Sequence, residues 1–136
     1  IGLIMDYKKS FDNLEKLLIE LKEKNKVIPI LVEGEKDIDA LKNLNINGMI
    51  LSLNKGISIT NFCDLLANKY DEIIILTDWD KKGGQLCHML KKNLIGRVIC
   101  NTDFRKKIAK KTMIRTVEGL PSWIETMKKK INHQLI

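Results

Sequence analysis

Short runs of apolar, β-branched residues alternate along this chain with longer segments whose apolar residues recur every three or four positions. The strongest runs are VIPILV at 27–32 and EIIILT at 72–77, and shorter ones lie at 49–53 and 97–100. Continuous apolar runs are typical of strands that are buried on both faces of a sheet, and the periodic segments are typical of amphipathic helices. Alternating strands and helices predict a parallel sheet covered on both faces. The expected fold class is α/β, with three layers and a central, mainly parallel sheet of four strands.

The length of 136 residues suits one globular domain, and no internal repeat or low-complexity block divides it. We expect an N-terminal helix over residues 1–26 that packs on the domain, a sheet-bearing domain over 27–120 and a basic C-terminal helix over 121–136. The predicted helices between these ends are given in chain order: 36–44, 60–69, one that opens near Gly83, and 104–111.

Composition excludes several classes of protein. Apolar residues make up 44% and charged residues 30%, which is the balance of a folded chain, and no stretch reaches the roughly 18 apolar residues of a membrane helix. The apolar run at 1–5 is too short for a signal peptide, so we expect a cytoplasmic protein without membrane contact. Cys63, Cys87 and Cys100 lack C-x-x-C spacing and a histidine at zinc-finger distance, so they predict reduced thiols, not a disulfide framework or structural zinc.

Charge is distributed unevenly along the chain. Of 24 basic and 17 acidic residues, 15 of each lie in residues 1–103, so the whole net charge of +7 comes from the nine basic and two acidic residues of 104–136. A neutral body with a basic C-terminal end suggests a polyanionic partner such as nucleic acid. A lysine-rich solvated surface explains the same pattern, and both interpretations stay open.

Acidic residues follow two of the predicted strands. Glu33 comes after the first strand, and Asp78 and Asp80 come after the third. If the strand order is 2-1-3-4, these strands are neighbours and the acids converge at the carboxyl edge of the sheet, where α/β folds collect function. Residues two apart in an extended segment project to the same side, roughly 6.6 Å apart. Carboxylates so placed predict a site for a hard cation such as Mg²⁺.

Each of these residues also has a structural explanation. Asp80 is well placed to cap the following helix, and Asp37 either adds a ligand or complements the first turn of its helix. Gly34 either allows a tight strand exit or lets a phosphate approach the backbone. Lys81, Lys82 and Gly83 offer a phosphate site at a helix start, or solvated lysines. The turn Asn54-Lys55-Gly56 either lines the same crevice or lies on the surface.

The paired motifs E-G-x-x-D at 33–37 and D-x-D-x-x-G at 78–83 resemble the Toprim domain, which topoisomerases, bacterial primases and small nucleases share. The resemblance covers roughly residues 27–120 and is strongest to short stand-alone archaeal Toprim proteins, in which TVEGL at 116–120 is also familiar. It implies a Rossmann-like three-layer fold in which Glu33 transfers a proton and Asp78 and Asp80 bind Mg²⁺, with Mn²⁺ as a substitute and Asp37 as an extra ligand. The position two beyond Asp80, acidic in some members, is Lys82, which puts a second tightly held metal in doubt.

These expectations favour a small Mg²⁺-dependent nuclease acting on RNA or DNA. The alternative is a metal- and nucleic-acid-binding module without turnover, within a larger assembly. The sequence offers no activated tyrosine for topoisomerase chemistry, no room for primase template-binding modules, and no adjacent acids after the first strand as in signalling receivers. The oligomeric state stays open. The residues expected to contact phosphate or nucleic acid are Gly34, Lys36, Lys81, Lys82, Gly83, Arg105 and Lys106.

Overall fold

A computed structural model describes residues 7–53 and 56–135. The apolar run at 1–5 and the turn residues Asn54 and Lys55, about which the sequence made predictions, lie outside them. The elements in chain order are α1 (Tyr7–Asn25), β1 (Ile30–Val32), α2 (Glu35–Asn43), β2 (Ile50–Ser52), α3 (Ile59–Lys69), β3 (Glu72–Ile75), α4 (Lys81–Leu94), β4 (Ile99–Asn101), α5 (Asp103–Lys111) and α6 (Leu120–Leu135).

The four strands form one parallel sheet in the order β2-β1-β3-β4. Ile30 of β1 is level with Ile50 of β2 on one side and with Ile74 of β3 on the other. The bond from the Leu76 amide to the Leu31 carbonyl, 2.8 Å long, continues the β1 to β3 pairing past the end of β3. The predicted α/β class is therefore confirmed, and the strand order is the one under which the ends of β1 and β3 lie side by side.

Two apolar cores lie on the two faces of the sheet. Alternate residues of β1 and β3, with Ile30 and Ile74 as examples, pack against α1, α2, α5 and α6. The intervening residues, such as Leu31 and Ile73, pack against α3 and α4. Because successive strand side chains point to opposite faces, continuous apolar strands are what a sheet covered on both sides requires.

Some element boundaries differ from the predicted ones. β1 begins at Ile30 and not at Val27, because the Ile28 amide still bonds back to Lys24 at the end of α1 and Pro29 has no amide hydrogen to donate. α4 begins at Lys81, earlier than expected, because Asp80 caps it. Among the described residues, no helix combines the length and apolar character needed to cross a bilayer.

Candidate metal and catalytic site

Glu33 and Asp78 meet across the ends of the two central strands. Glu33 directly follows β1, and its Oε2 accepts a 2.7 Å hydrogen bond from the backbone N–H of Asp78, beyond the end of β3. Both residues are half-buried. The parallel pairing of β1 with β3 thus brings together two acidic residues that are 45 positions apart in the chain.

The surroundings of Glu33 favour its protonated form. Burial raises the pKa of the Glu33 carboxyl above its ordinary value, and the Asp78 amide opposes this by lowering that pKa. The Asp78 carboxylate raises the pKa again through its charge and through direct carboxyl contact, and the Asp80 charge adds to the effect. A carboxyl group with these neighbours is stabilised either by a bound proton or by a nearby cation.

Asp78 and Asp80 each accept a hydrogen bond from a backbone amide. Asp78 Oδ1 accepts a 2.9 Å hydrogen bond from the N–H of Val117, and Asp80 Oδ1 accepts a 2.7 Å bond from the N–H of Gly83 as the N-cap of α4. The capping role that the sequence left open for Asp80 is thus present. Each of these bonds occupies one oxygen of a carboxylate that has two.

Asp37 lies at the third position of α2 and is buried, with 7% of its surface exposed. Its Oδ2 accepts a 3.1 Å hydrogen bond from the N–H of Gly34, so it caps the start of its own helix. Burial raises the pKa of Asp37, as do the charges of Asp78 and Glu118, while the Gly34 and Glu118 amides lower it. The structure therefore gives Asp37 the capping role and places it within electrostatic range of the site.

The two glycines of the motifs have different surroundings. A Cβ on Gly34 would meet no atom within 4 Å, so the backbone beside Glu33 is open. A Cβ on Gly83 would lie 1.8 Å from the Asp78 carbonyl oxygen, and the Gly83 N–H is already bonded to Asp80. Gly83 therefore allows the close packing of α4 on the strand end, and its predicted role as a phosphate contact stays a prediction.

The predicted cationic contacts divide in the same way. Lys36, Lys81, Lys82 and Lys106 are exposed and lie near the starts of their helices, at the carboxyl edge of the sheet. Arg105 instead turns inward, where its Nε donates to the Thr77 carbonyl at 3.0 Å and its Nη2 donates to the Asp78 carbonyl at 2.7 Å. Arg105 thus holds the backbone that carries Asp78, and its predicted contact with nucleic acid stays a prediction.

Sequence reasoning missed the segment between α5 and α6, residues 112–119, which we call the strap. It contributes the Val117 amide to Asp78, and the Glu118 amide stabilises the Asp37 carboxylate. The segment includes most of TVEGL at 116–120, which is part of the resemblance to archaeal Toprim proteins. Backbone amides carry no residue-specific pattern, so the sequence did not reveal the function of this segment.

The donor set fits a hydrated hard cation. Among residues 7–53 and 56–135, no three His, Cys, Asp or Glu side chains already form a metal-binding group. The bond from the Asp78 amide to Glu33 nevertheless brings two acidic residues together at the strand ends, and the charges of Asp78 and Asp80 both act on Glu33. Mg²⁺ usually keeps several waters and binds through one or two carboxylates, so these residues fit it without a cage made only of protein groups.

Comparisons with known proteins agree with this geometry. A UPF0292 protein of Thermoplasma volcanium is 45% identical over 105 residues, which cover 76% of this chain and 88% of that protein. A UPF0292 protein of Methanosarcina acetivorans is 34% identical over 128 residues, which cover 91% of this chain and 88% of that one. A solved structure described as a putative protein from Aquifex aeolicus has a TM-score of 0.67 and 28% identity, and the match covers 76% of this chain and 94% of that chain.

The sequence profile of the Toprim domain matches residues 28–111. The matched region contains β1 to β4 together with Glu33, Asp78 and Asp80. This chain therefore belongs to the Toprim domain family.

Proposed function

We propose that this protein is a Mg²⁺-dependent nuclease that breaks phosphodiester bonds in RNA or DNA. Membership of the Toprim family indicates a metal-dependent function related to nucleic acids. The observation that carries the proposed nuclease activity is the 2.7 Å hydrogen bond that Glu33 accepts from the backbone amide of Asp78. This bond supports the proposal because Glu33, the proposed proton-transfer group, then lies beside Asp78, a proposed metal ligand.

Asp78 and Asp80 would hold the cation, directly or through its water molecules. When bound, Mg²⁺ supplies positive charge that neutralises phosphate oxygens. Glu33 is suited to take up or release a proton because burial and its acidic neighbours raise the pKa of its carboxyl group. Two hydrogen bonds keep Asp78 in place: Arg105 donates to its backbone carbonyl, and the Val117 amide donates to its side chain.

The charge around the acids supports a phosphate-bearing substrate. Lys36, Lys81 and Lys82 are exposed at the starts of α2 and α4, which flank the acidic residues. The Gly34 backbone beside them has no atom within 4 Å of where a side chain would begin, which leaves room for a phosphate to approach. Cationic groups around an acidic metal site are suited to hold a phosphodiester chain over that site.

A metal- and nucleic-acid-binding module without turnover is the second candidate. It is favoured by the backbone bonds that Glu33, Asp37, Asp78 and Asp80 all make, because these bonds give each acid a purpose in the fold. In such a module Glu33 would need no proton-transfer role. The two candidates therefore differ in one expected result: a neutral residue at position 33 abolishes cleavage in the nuclease and leaves the function of the module unchanged.

Labelled single- and double-stranded RNA and DNA, incubated with the protein and Mg²⁺ or Mn²⁺, test the proposal. We expect cleavage of at least one substrate by the wild type, its loss on addition of EDTA, and a decrease of about 100-fold or more in Glu33→Gln. Glu35→Gln, an exposed neighbour on α2, is the control and should cleave normally. If the wild type and Glu33→Gln both bind nucleic acid and neither cleaves it, the binding module without turnover is favoured.

A further inference from the structure

The strap, residues 112–119, links the two ends of the site. Its Val117 amide donates to Asp78 Oδ1 at 2.9 Å, and the neighbouring Glu118 amide lowers the pKa of the Asp37 carboxyl. Asp78 follows β3, so the Val117 bond joins the strap to the end of a central strand. The position of the strap therefore helps to fix the Asp78 carboxylate.

Trp79 attaches the strap to the strand end. Its indole N–H donates to the carbonyl of Ile114, and its backbone N–H donates to the carbonyl of Arg115 at 2.9 Å. Trp79 lies between Asp78 and Asp80, and it is half-buried against the core that faces α1, α2, α5 and α6. The residue between the two acids is thus bonded to the segment that orients one of them.

The strap is fixed at its other end by packing and a tight turn. Val117 is fully buried in the core, and the Gly119 amide donates to Thr116 Oγ1 at 3.2 Å. The Leu120 amide then bonds to the Val117 carbonyl at 3.0 Å as α6 begins. The indole bond of Trp79 is the side-chain bond that ties the first half of the strap to the Asp78 segment.

We propose that Trp79 is a positioning residue for the metal site, which acts by holding the strap so that the Val117 amide fixes the Asp78 carboxylate. This inference rests on the proposed function only in taking Asp78 as a metal ligand. Groups that orient metal ligands through hydrogen bonds commonly change metal affinity by 10- to 100-fold when they are removed. Trp79 would do so without touching the ion.

Trp79→Phe tests the proposal because it keeps an aromatic ring and removes the indole donor, and the loss of ring volume that comes with it is matched in the control variant below. Titration calorimetry with Mg²⁺ alone, below the unfolding temperature, should show affinity 10- to 100-fold weaker than in the wild type. The Mg²⁺ concentration needed for half-maximal cleavage should rise by a similar factor, with little change in kcat at saturating Mg²⁺. A role in stability alone would lower Tm and leave the Mg²⁺ affinity unchanged.

Trp123→Phe is the matched control, because Trp123 is the other tryptophan of the chain and packs on the same core from α6. Weaker Mg²⁺ binding in Trp79→Phe with normal binding in Trp123→Phe supports the proposal. Equal affinities in wild type and Trp79→Phe, or equal losses in both variants, overturn it.

A measurement that needs no change at position 79 covers the case in which Trp79→Phe does not fold. In Trp123→Phe, the remaining indole N–H resonance belongs to Trp79. We expect it to shift during a Mg²⁺ titration, with the same midpoint as the Val117 amide, and an unmoved indole resonance would overturn the proposal. Mg²⁺ binding without any cleavage would contradict the nuclease and leave this inference standing, whereas a wild type that binds no Mg²⁺ would contradict both.

Discussion

Asp80 has two functions that a single substitution can separate. It caps α4 through Gly83, and it contributes negative charge near Glu33. Asparagine caps helices about as well as aspartate but carries no charge, whereas alanine does neither. The cap and the charge are therefore open to separate measurement.

We expect Asp80→Asn to leave the free energy of unfolding nearly unchanged while weakening Mg²⁺ binding. Asp80→Ala should lose about 1 kcal/mol of stability as well, because the Gly83 amide loses its acceptor. Urea denaturation and calorimetry of both variants check this. If Asp80→Asn binds Mg²⁺ as tightly as the wild type, Asp80 is only a helix cap and not a metal ligand.

Glu33 makes the fold sensitive to pH. Its carboxyl pKa is raised in the folded protein, chiefly by burial and then by the charge of Asp78. The stabilisation from its protonated form is therefore fully present below the ordinary carboxyl pKa, and it is lost as the pH rises through the higher folded value.

Glu33→Gln stays neutral at every pH, so we expect it to be more stable than the wild type at pH 7.5 in EDTA, with the difference disappearing near pH 4. Denaturant unfolding at the two pH values measures this. Glu35→Gln is the control, because it removes the same charge from an exposed position in the first turn of α2. A negative charge there favours the helix, so we expect this variant to gain no stability at pH 7.5. A Glu33→Gln variant that is less stable than wild type at pH 7.5 would contradict the prediction.

The start of α4 depends on one close approach between a helix and a strand end. Gly83 and Gly84 are neighbours in the first turn, but a Cβ on Gly83 would meet the Asp78 backbone at 1.8 Å. A Cβ on Gly84 would meet only the Arg105 Nη2 at 3.6 Å. The helix therefore tolerates a side chain at one of these positions and not at the other.

Gly83→Ala should destabilise the protein by about 3 kcal/mol, because α4 must move away from Asp78. Gly84→Ala should be neutral or more stable by up to about 1 kcal/mol, since alanine is the better helix former. Thermal unfolding of the pair tests this, and equal Tm values would mean that α4 does not pack as closely on Asp78 as described. Mg²⁺ binding should weaken in Gly83→Ala alone.

The central strands were predictable from the sequence because burial on both faces leaves a continuous apolar signature in β1 and β3, whereas the strand order entered only as a condition that the structure meets. The neighbouring strand ends then brought Glu33 to Asp78. The roles of Arg105 and Val117 were not predictable. Arg105 donates to backbone carbonyls 27 and 28 positions away, and Val117 uses its own backbone N–H to bond a side chain 39 positions away. Such bonds leave no periodicity or motif in the sequence.

The positive charge of the whole molecule is concentrated at one end of the chain, and α5 places part of it near the site. α5 begins directly after β4, at the same carboxyl edge as Glu33 and Asp78. Lys106 and Lys110 are exposed one turn apart, an arrangement that costs a few tenths of a kcal/mol through mutual repulsion. Among the described residues, neither lysine lies within ion-pair distance of an acid. A phosphate chain would relieve this repulsion.

We expect a double change of Lys106→Gln and Lys110→Gln to weaken binding of nucleic acid in EDTA and to reduce the slope of log affinity against log salt by about 2. The control pair, Lys91→Gln and Lys92→Gln, removes the same charge from the last turn of α4, at the opposite edge of the sheet. Fluorescence anisotropy at several salt concentrations measures both. If the two pairs lower the slope equally, net charge attracts nucleic acid without a defined surface. If only the α5 pair does so, the basic end of the chain holds the phosphate backbone beside Glu33 and Asp78.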